Sequence, residues 1–193
     1  MKRILFAALL ALGALPLFAQ ANASNKFGIV VGGSRMFVEG APREEGVEFS
    51  DATFSFSNNA FDLYWATQLE PDTWLRVKAG RIAGPVPVAY TIPGNNTTFR
   101  RDADGELQHV GVDVEYGFSE PYGSTGIFAG VGLYRVSAPD ADTSSSYGFN
   151  VGVNADFPIT RRYGFVLETA YHWSRTDFQP RFLTLGGGLR ISF

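Results

Sequence analysis

Along the C-terminal segment 183–193, Leu183, Leu185, Gly187, Leu189, Ile191 and Phe193 share one parity, while Thr184, Gly186, Gly188, Arg190 and Ser192 share the other. A two-residue period that sorts apolar from small or polar side chains marks a β-strand whose two faces meet different environments. The pattern recurs at 163–174, 147–157, 125–135, 108–118, 74–81, 61–69 and, least sharply, 27–37. In 108–118, Val110, Val112, Val114 and Tyr116 alternate with His109, Gly111, Asp113, Glu115 and Gly117. The facing of 27–37 stays open, because Val30 stands on the parity of Gly28, Gly32 and Ser34. Eight such segments predict an all-β, eight-stranded antiparallel fold.

The joins alternate as regularly as the side chains. Segments 70–73, 119–124 and 158–162 are tight turns, whereas 38–60, 82–107, 136–146 and a brief 176–180 are longer and polar. Short and long joins in strict alternation, with both chain ends on the short side, are the plan of an up-and-down transmembrane β-barrel. The short turns then face the periplasm and the long loops face outward. A soluble ligand-binding barrel is the structural rival, but it is apolar inside and polar outside. Here the polar parity is rich in glycine and suits the narrow interior of eight strands, where side chains only just fit. The apolar parity therefore faces lipid.

Composition supports this reading. The chain has 22 glycines, 15% aromatic residues, 18% charged residues and no cysteine. Without cysteine, disulfide scaffolds, thiol nucleophiles, thiolate zinc sites and acylated lipoprotein anchors are excluded. The glycines are expected to thin a crowded interior and the aromatics to dress the lipid-facing surface.

The first residues predict export. Lys2 and Arg3 precede an apolar run from Ile4 to Phe18, and Ala21-Asn22-Ala23 offers the small residues of a cleavage site. Residues 1–23 read as a cleaved signal peptide, with Ala19-Gln20-Ala21 as an alternative site, and residues 24–193 as the barrel domain. A run interrupted by Gly13 and Pro16 falls short of the roughly 20 residues of a spanning helix. The formal net charge of −3 becomes more negative once Lys2 and Arg3 are removed, so no nucleic-acid partner is expected.

The export signal, the eight alternating segments and the ending Leu189-Arg190-Ile191-Ser192-Phe193 together resemble the small outer-membrane β-barrel family of the OmpA/OmpX and opacity-protein type. The resemblance implies a location in the cell outer membrane, among its lipids and lipopolysaccharide. It also implies biogenesis through the Sec pathway and the barrel assembly machinery, with Leu189, Ile191 and Phe193 as the assembly signal. Members range from structural proteins to adhesins and enzymes, so fold does not settle function.

Asp62, Arg76, Lys78, Asp113, Glu115, Asp156, Glu168 and Arg190 all fall on the inward parity. Charges confined in a narrow interior need partners, because unpaired buried charge is expensive. They predict a polar network that plugs the lumen, with a narrow channel through the carboxylates as the functional rival. Arg35, Arg81, Arg135 and Arg175 instead have outward parity, each where an upward strand meets its loop. Arginine grips phosphate through paired hydrogen bonds, so these four are candidate contacts to lipopolysaccharide. A basic residue at a membrane edge also costs little, which is the bland account.

His172-Trp173-Ser174 is similar to the catalytic pair of the outer-membrane lipid A deacylases, which implies Ser174 as nucleophile and His172 as base. The pattern departs from that family in three ways. Arg175 stands where asparagine is usual, no acidic residue follows Asp177, and parity turns the pair inward. A histidine joining the lumen network beside Glu168 is the plainer role, so the expected protein is not an enzyme. Gly130-Val131-Gly132 and Gly186-Gly187-Gly188 lie within strands and are not phosphate loops. No cofactor is expected. His109 and His172 are too isolated in sequence to argue for a metal.

The loops remain as candidates for an extracellular ligand. Residues 39–48 carry Glu39, Glu44, Glu45 and Glu48 against Arg43, and 82–107 carries Arg100-Arg101, Asp102 and Asp104. Asn95-Asn96-Thr97-Thr98 contains glycosylation-type sequons. The expected function is an envelope-structural or surface-interaction role, with a lipid A hydrolase as the alternative and a narrow channel third.

Overall fold

The computed structural model describes residues 24–37, 55–91, 98–120, 123–139, 142–176 and 179–193. The expected signal peptide with both cleavage positions, the acidic stretch 39–48, the sequon residues 95–97 and Asp177 lie outside the described residues. The strands are β1 (Asn25–Phe37), β2 (Ser55–Glu70), β3 (Thr73–Thr91), β4 (Thr98–Glu120), β5 (Gly123–Ser137), β6 (Ser144–Pro158), β7 (Tyr163–Ser174) and β8 (Arg181–Ser192). Each pairs antiparallel with its sequence neighbours, and β1 pairs with β8, closing the barrel. The seam ends where Asn25 and Phe193 exchange backbone hydrogen bonds of 2.8 and 3.0 Å, so the start of β1 and the end of β8 meet on the short-turn side.

The two parities divide between lipid and lumen. Val114, Ile127, Val131, Val153, Leu167, Leu189 and Ile191 are exposed on the outer surface, Val131 at 69%. A surface this apolar is stable only against hydrocarbon, and strands can cross it because a closed sheet pairs their backbone groups with those of their neighbours. Rings mark both edges of the band. On the short-turn side Trp65 meets Phe193 at 5.1 Å, Tyr116 meets Phe118 at 5.0 Å and Phe157 meets Phe165 at 6.5 Å; on the loop side Phe149 meets Trp173 at 5.0 Å. Such girdles sit at the two interfaces of a bilayer. The open facing of β1 resolves with Val30 inside, at 6% exposure, and Ile29 and Val31 outside.

Two expectations are corrected. Segment 82–107 is largely strand: β3 continues to Thr91 and β4 begins at Thr98, in register from Ile82↔Leu107 to Thr91↔Thr98. The β2–β3 pairing ends at Ala60↔Ile82 and the β4–β5 pairing at Glu106↔Ser137, so this ribbon rises beyond the barrel wall. Beyond Ile82 no β2 residue pairs with β3, and a strand edge left unpaired tolerates Pro85 and Pro87, which lack an N–H to donate. Gly84 bends there with φ +149°, a conformation that side chains disfavour. Likewise 38–60 is not all loop, since β2 starts at Ser55.

The second correction concerns aromatics, which are not confined to the lipid face. Tyr64, Trp74, Phe128, Tyr134 and Phe182 are buried in the lumen. Glycines make room for them. A Cβ at Gly28 would strike the Tyr64 ring, one at Gly148 the Tyr134 ring and one at Gly152 the Phe128 ring. The interior is thus filled by large side chains over bare backbone, rather than thinned throughout.

Candidate functional site

From the periplasmic end upward, the lumen is stacked in tiers. At the bottom Arg190 Nε donates to Asp156 and Lys26 Nζ lies 3.7 Å from the same carboxylate, with its ammonium 4.0 Å from the centre of the Trp74 ring. Lys26 was not among the expected lumen charges. Its inward parity with Gly28 is visible only once β1 is given a facing.

The next tier is built on Arg76, which is 1% exposed. Its Nη1 donates to Glu115 at 2.9 Å and its Nη2 to Glu168 at 2.7 Å. The guanidinium is flanked by the rings of Tyr64 and Phe128, each 4.5 Å from Cζ. Asn154 Nδ2 donates a further 2.8 Å bond to Glu115. Arginine suits this position because its planar fork can satisfy two carboxylates while its faces stack on aromatic rings. Above it Lys78 Nζ lies 3.4 Å from Asp113, which also accepts a 2.9 Å bond from Asn150 Nδ2.

Asp62, His109 and His172 form the following tier, all buried. Asp62, Gly80 and His109 are direct cross-strand partners on β2, β3 and β4. Because Gly80 has no side chain, Asp62 Oδ1 and His109 Nε2 approach to 3.0 Å across it. His172 reaches them from β7, its ring 4.8 Å from that of His109, with Nδ1 3.2 Å from the Tyr134 hydroxyl. So the two histidines that stand far apart in sequence are neighbours in the closed barrel, and His172 does not sit with Glu168, which belongs to Arg76. An apolar plug of Ala60, Ile82, Val86, Leu107, Val136 and Phe182 covers the tier on the extracellular side.

His172 and Ser174 both point into the barrel and are inaccessible, each at 0% exposure. Ser174 Oγ lies 2.9 Å from Thr176 Oγ1 and donates at 3.3 Å to the Pro180 carbonyl, while His172 Nδ1 faces Tyr134. The geometry does not assemble a nucleophile and base, which require a mutual hydrogen bond and access to substrate.

At the outer rim the four arginines divide. Arg81, Gln108 and Arg135 are cross-strand partners in one row of β3, β4 and β5. Arg81 is exposed and 3.8 Å from Glu106; contrary to expectation it lies mid-strand, where β3 leaves β2, not at a strand end. Below them a lipid-facing groove of about 350 Å³ runs between Phe61, Leu63, Ala79, Val110 and Leu133. Arg175 donates to the Tyr147 hydroxyl, and Arg35 lies 5.2 Å from the Phe37 ring centre. The expected assembly residues Leu189, Ile191 and Phe193 face outward on the closing strand and at the chain end, all exposed.

No protein-family model matches the sequence, and no curated protein sequence is significantly similar to it. Solved structures do match. Neisserial surface protein A (NspA) aligns with TM-score 0.64 and 15% identity over 89% of this chain and 99% of that one. The fold is that of a small outer-membrane β-barrel. The N-terminal β-barrel domain of Pseudomonas aeruginosa OprF aligns with TM-score 0.54 and 13% identity, over 89% of this chain and 100% of that domain. Ail, the attachment invasion locus protein of Yersinia pestis, aligns with TM-score 0.51 and 16% identity over 89% of this chain and 99% of its own. The resemblance read from the eight alternating segments therefore holds at the level of fold.

Proposed function

We propose that this chain is an integral outer-membrane protein, not an enzyme or a channel, that acts as an envelope-structural and surface-interaction element. The observation that carries the reading is the lumen. Arg76 bridges Glu115 and Glu168 across it, and the apolar plug covers its outer end. Transport through a core packed in this way would require breaking buried ion pairs, each costly to leave half-made. What the scaffold offers to its surroundings is its outside: the β3–β4 ribbon above the rim, and the arginine row over a lipid-facing groove. Presentation of a ribbon on a rigid barrel suits an extracellular ligand, and Ail is by its name an attachment protein of the same fold.

Lipopolysaccharide fits the rim. Its acyl chains match the groove lined by Leu63, Ala79 and Leu133, and its phosphates match Arg81 and Arg135 above it. Leu189, Ile191 and Phe193, exposed to lipid on the closing strand, are suited to recognition by the assembly machinery before β8 joins β1. Replacing Arg35, Arg81, Arg135 and Arg175 together with Gln should lower the lipopolysaccharide that co-purifies with the folded barrel several-fold. Unchanged co-purification would overturn the lipid-binding part of the proposal. Removal of 88–101, which spares the plug residue Val86 and its neighbour Ala103, should reduce attachment of expressing cells to host surfaces while leaving the barrel folded; undiminished attachment would count against a surface-interaction role.

A further inference from the structure

We infer that Asp62, His109 and His172 form a site for one borderline divalent transition-metal ion, of the class of Zn²⁺, held across the lumen as a structural staple between β2, β4 and β7. Three observations converge on it. One ligand atom of each residue lies within 4.8 Å of the others, and all three residues are at least nine-tenths buried. Asp62 Oδ1, His109 Nε2 and His172 Nε2 each lack a hydrogen-bond partner: although the first two are 3.0 Å apart, they are not aligned for a bond. Buried polar atoms are almost always satisfied; the 3.0 Å Asp62–His109 contact serves two of these atoms and leaves His172 Nε2 with none, whereas a shared electrophile would serve all three at once. The remaining nitrogen of His172 is already engaged, since Nδ1 lies 3.2 Å from Tyr134 Oη and that hydroxyl lies 3.3 Å from the Phe149 carbonyl. A proton on Nδ1, donated to Tyr134, leaves the Nε2 lone pair aimed inward, which is the support a ligating histidine ordinarily has.

The donor set selects the ion. Two imidazoles and one carboxylate, without thiolate, suit Zn²⁺, Co²⁺, Ni²⁺ and Cu²⁺ and not the oxygen-seeking Mg²⁺ or Ca²⁺. With bonds of about 2.0–2.1 Å, tetrahedral ligand atoms stand about 3.4 Å apart, so closing the present spacing needs side-chain shifts of about an ångström. Gly80 provides the gap, because a Cβ there would meet His109 Nε2 at 2.8 Å. The charge nearest below, Lys78, is offset by Asp113 at 3.4 Å. The burial of all three residues beneath the apolar plug argues for a structural ion rather than a catalytic one.

The chain has only two histidines, so imidazole ligation in a tag-free preparation reports on this site. The full-length protein, purified from membranes, is unfolded in urea with chelator, refolded in detergent with Co²⁺ and freed of unbound metal by gel filtration, with folding checked by heat-modifiable gel mobility. The expected result is one Co²⁺ retained per folded barrel, with visible d–d absorption and an X-ray absorption spectrum showing two imidazoles. Retention should fall at least about tenfold in folded His109→Gln and His172→Gln, which each remove one of three ligands. A folded wild-type barrel that retains no metal, or retained metal with no imidazole scattering, overturns the proposal whether or not the variants fold. Undiminished retention in a folded His109→Gln/His172→Gln double variant does so too.

Discussion

The lower and upper halves of the lumen solve the same problem differently. Below, Arg76 places hydrogen bonds of 2.9 and 2.7 Å on two carboxylates, and the charged-group atoms left over there, Arg76 Nε, Asp156 Oδ1, Lys78 Nζ and Asp113 Oδ2, each belong to a side chain in an ion pair. Above, Asp62, His109 and His172 crowd together with a ligand atom on each facing the others unbonded. The contrast is one of side-chain chemistry. A guanidinium carries several donors in a fixed plane and can close a network by itself, whereas an imidazole has only two ring nitrogens to place. A narrow barrel filled by the first kind of group is locked by its own residues; one filled by the second kind is completed from outside.

That comparison can be broken by substitution, starting where the effect is largest. Arg76→Met strands Glu115 and Glu168 in the lumen and should destabilise the folded barrel by about 3–5 kcal/mol in urea unfolding in detergent. The triple variant Arg76→Met/Glu115→Gln/Glu168→Gln should recover most of that loss, because no buried charge is then left unpaired. A triple variant no more stable than the single one would show that packing between Tyr64 and Phe128, not charge, holds the tier. Gly152→Ala should cost about 1–3 kcal/mol, since its Cβ is driven into the Phe128 ring. The smallest change is expected in the upper tier: with chelator present, His172→Leu removes an orphaned nitrogen together with one bond to Tyr134, whose hydroxyl keeps the Phe149 carbonyl, and should shift stability by less than about 1 kcal/mol. A loss as large as that of Arg76→Met would erase the distinction between the tiers.

The barrel was legible because lipid and lumen impose a period of two on every crossing, and that period survives in segments as different as 108–118 and 183–193. The β3–β4 ribbon was not, because Pro85 and Pro87 read as loop and its two strands pair with each other beyond the point where β2 and β5 leave them. Inward charges such as Arg76 and Glu168 could be placed on the lumen side by parity, but their pairing could not. Arg76 and Glu168 are 92 residues apart and meet only after β1 closes on β8. The His109–His172 contact was hidden for the same reason. One signal was present: Asp62, Gly80 and His109 share inward parity on consecutive strands, and a glycine between two polar partners invites them to meet across it. Lys26 was missed because β1 mixes Val30 with glycines on its inner face.

The central claim is that the lumen is sealed by its own side chains, and conductance tests it most directly. Tag-free barrel reconstituted into planar lipid bilayers should give no reproducible unit conductance, because a path past Arg76, Glu115 and Glu168 would have to open a buried network. Steady, uniform current steps from folded wild-type protein would contradict it, and would return the inward carboxylates to the role of an ion path.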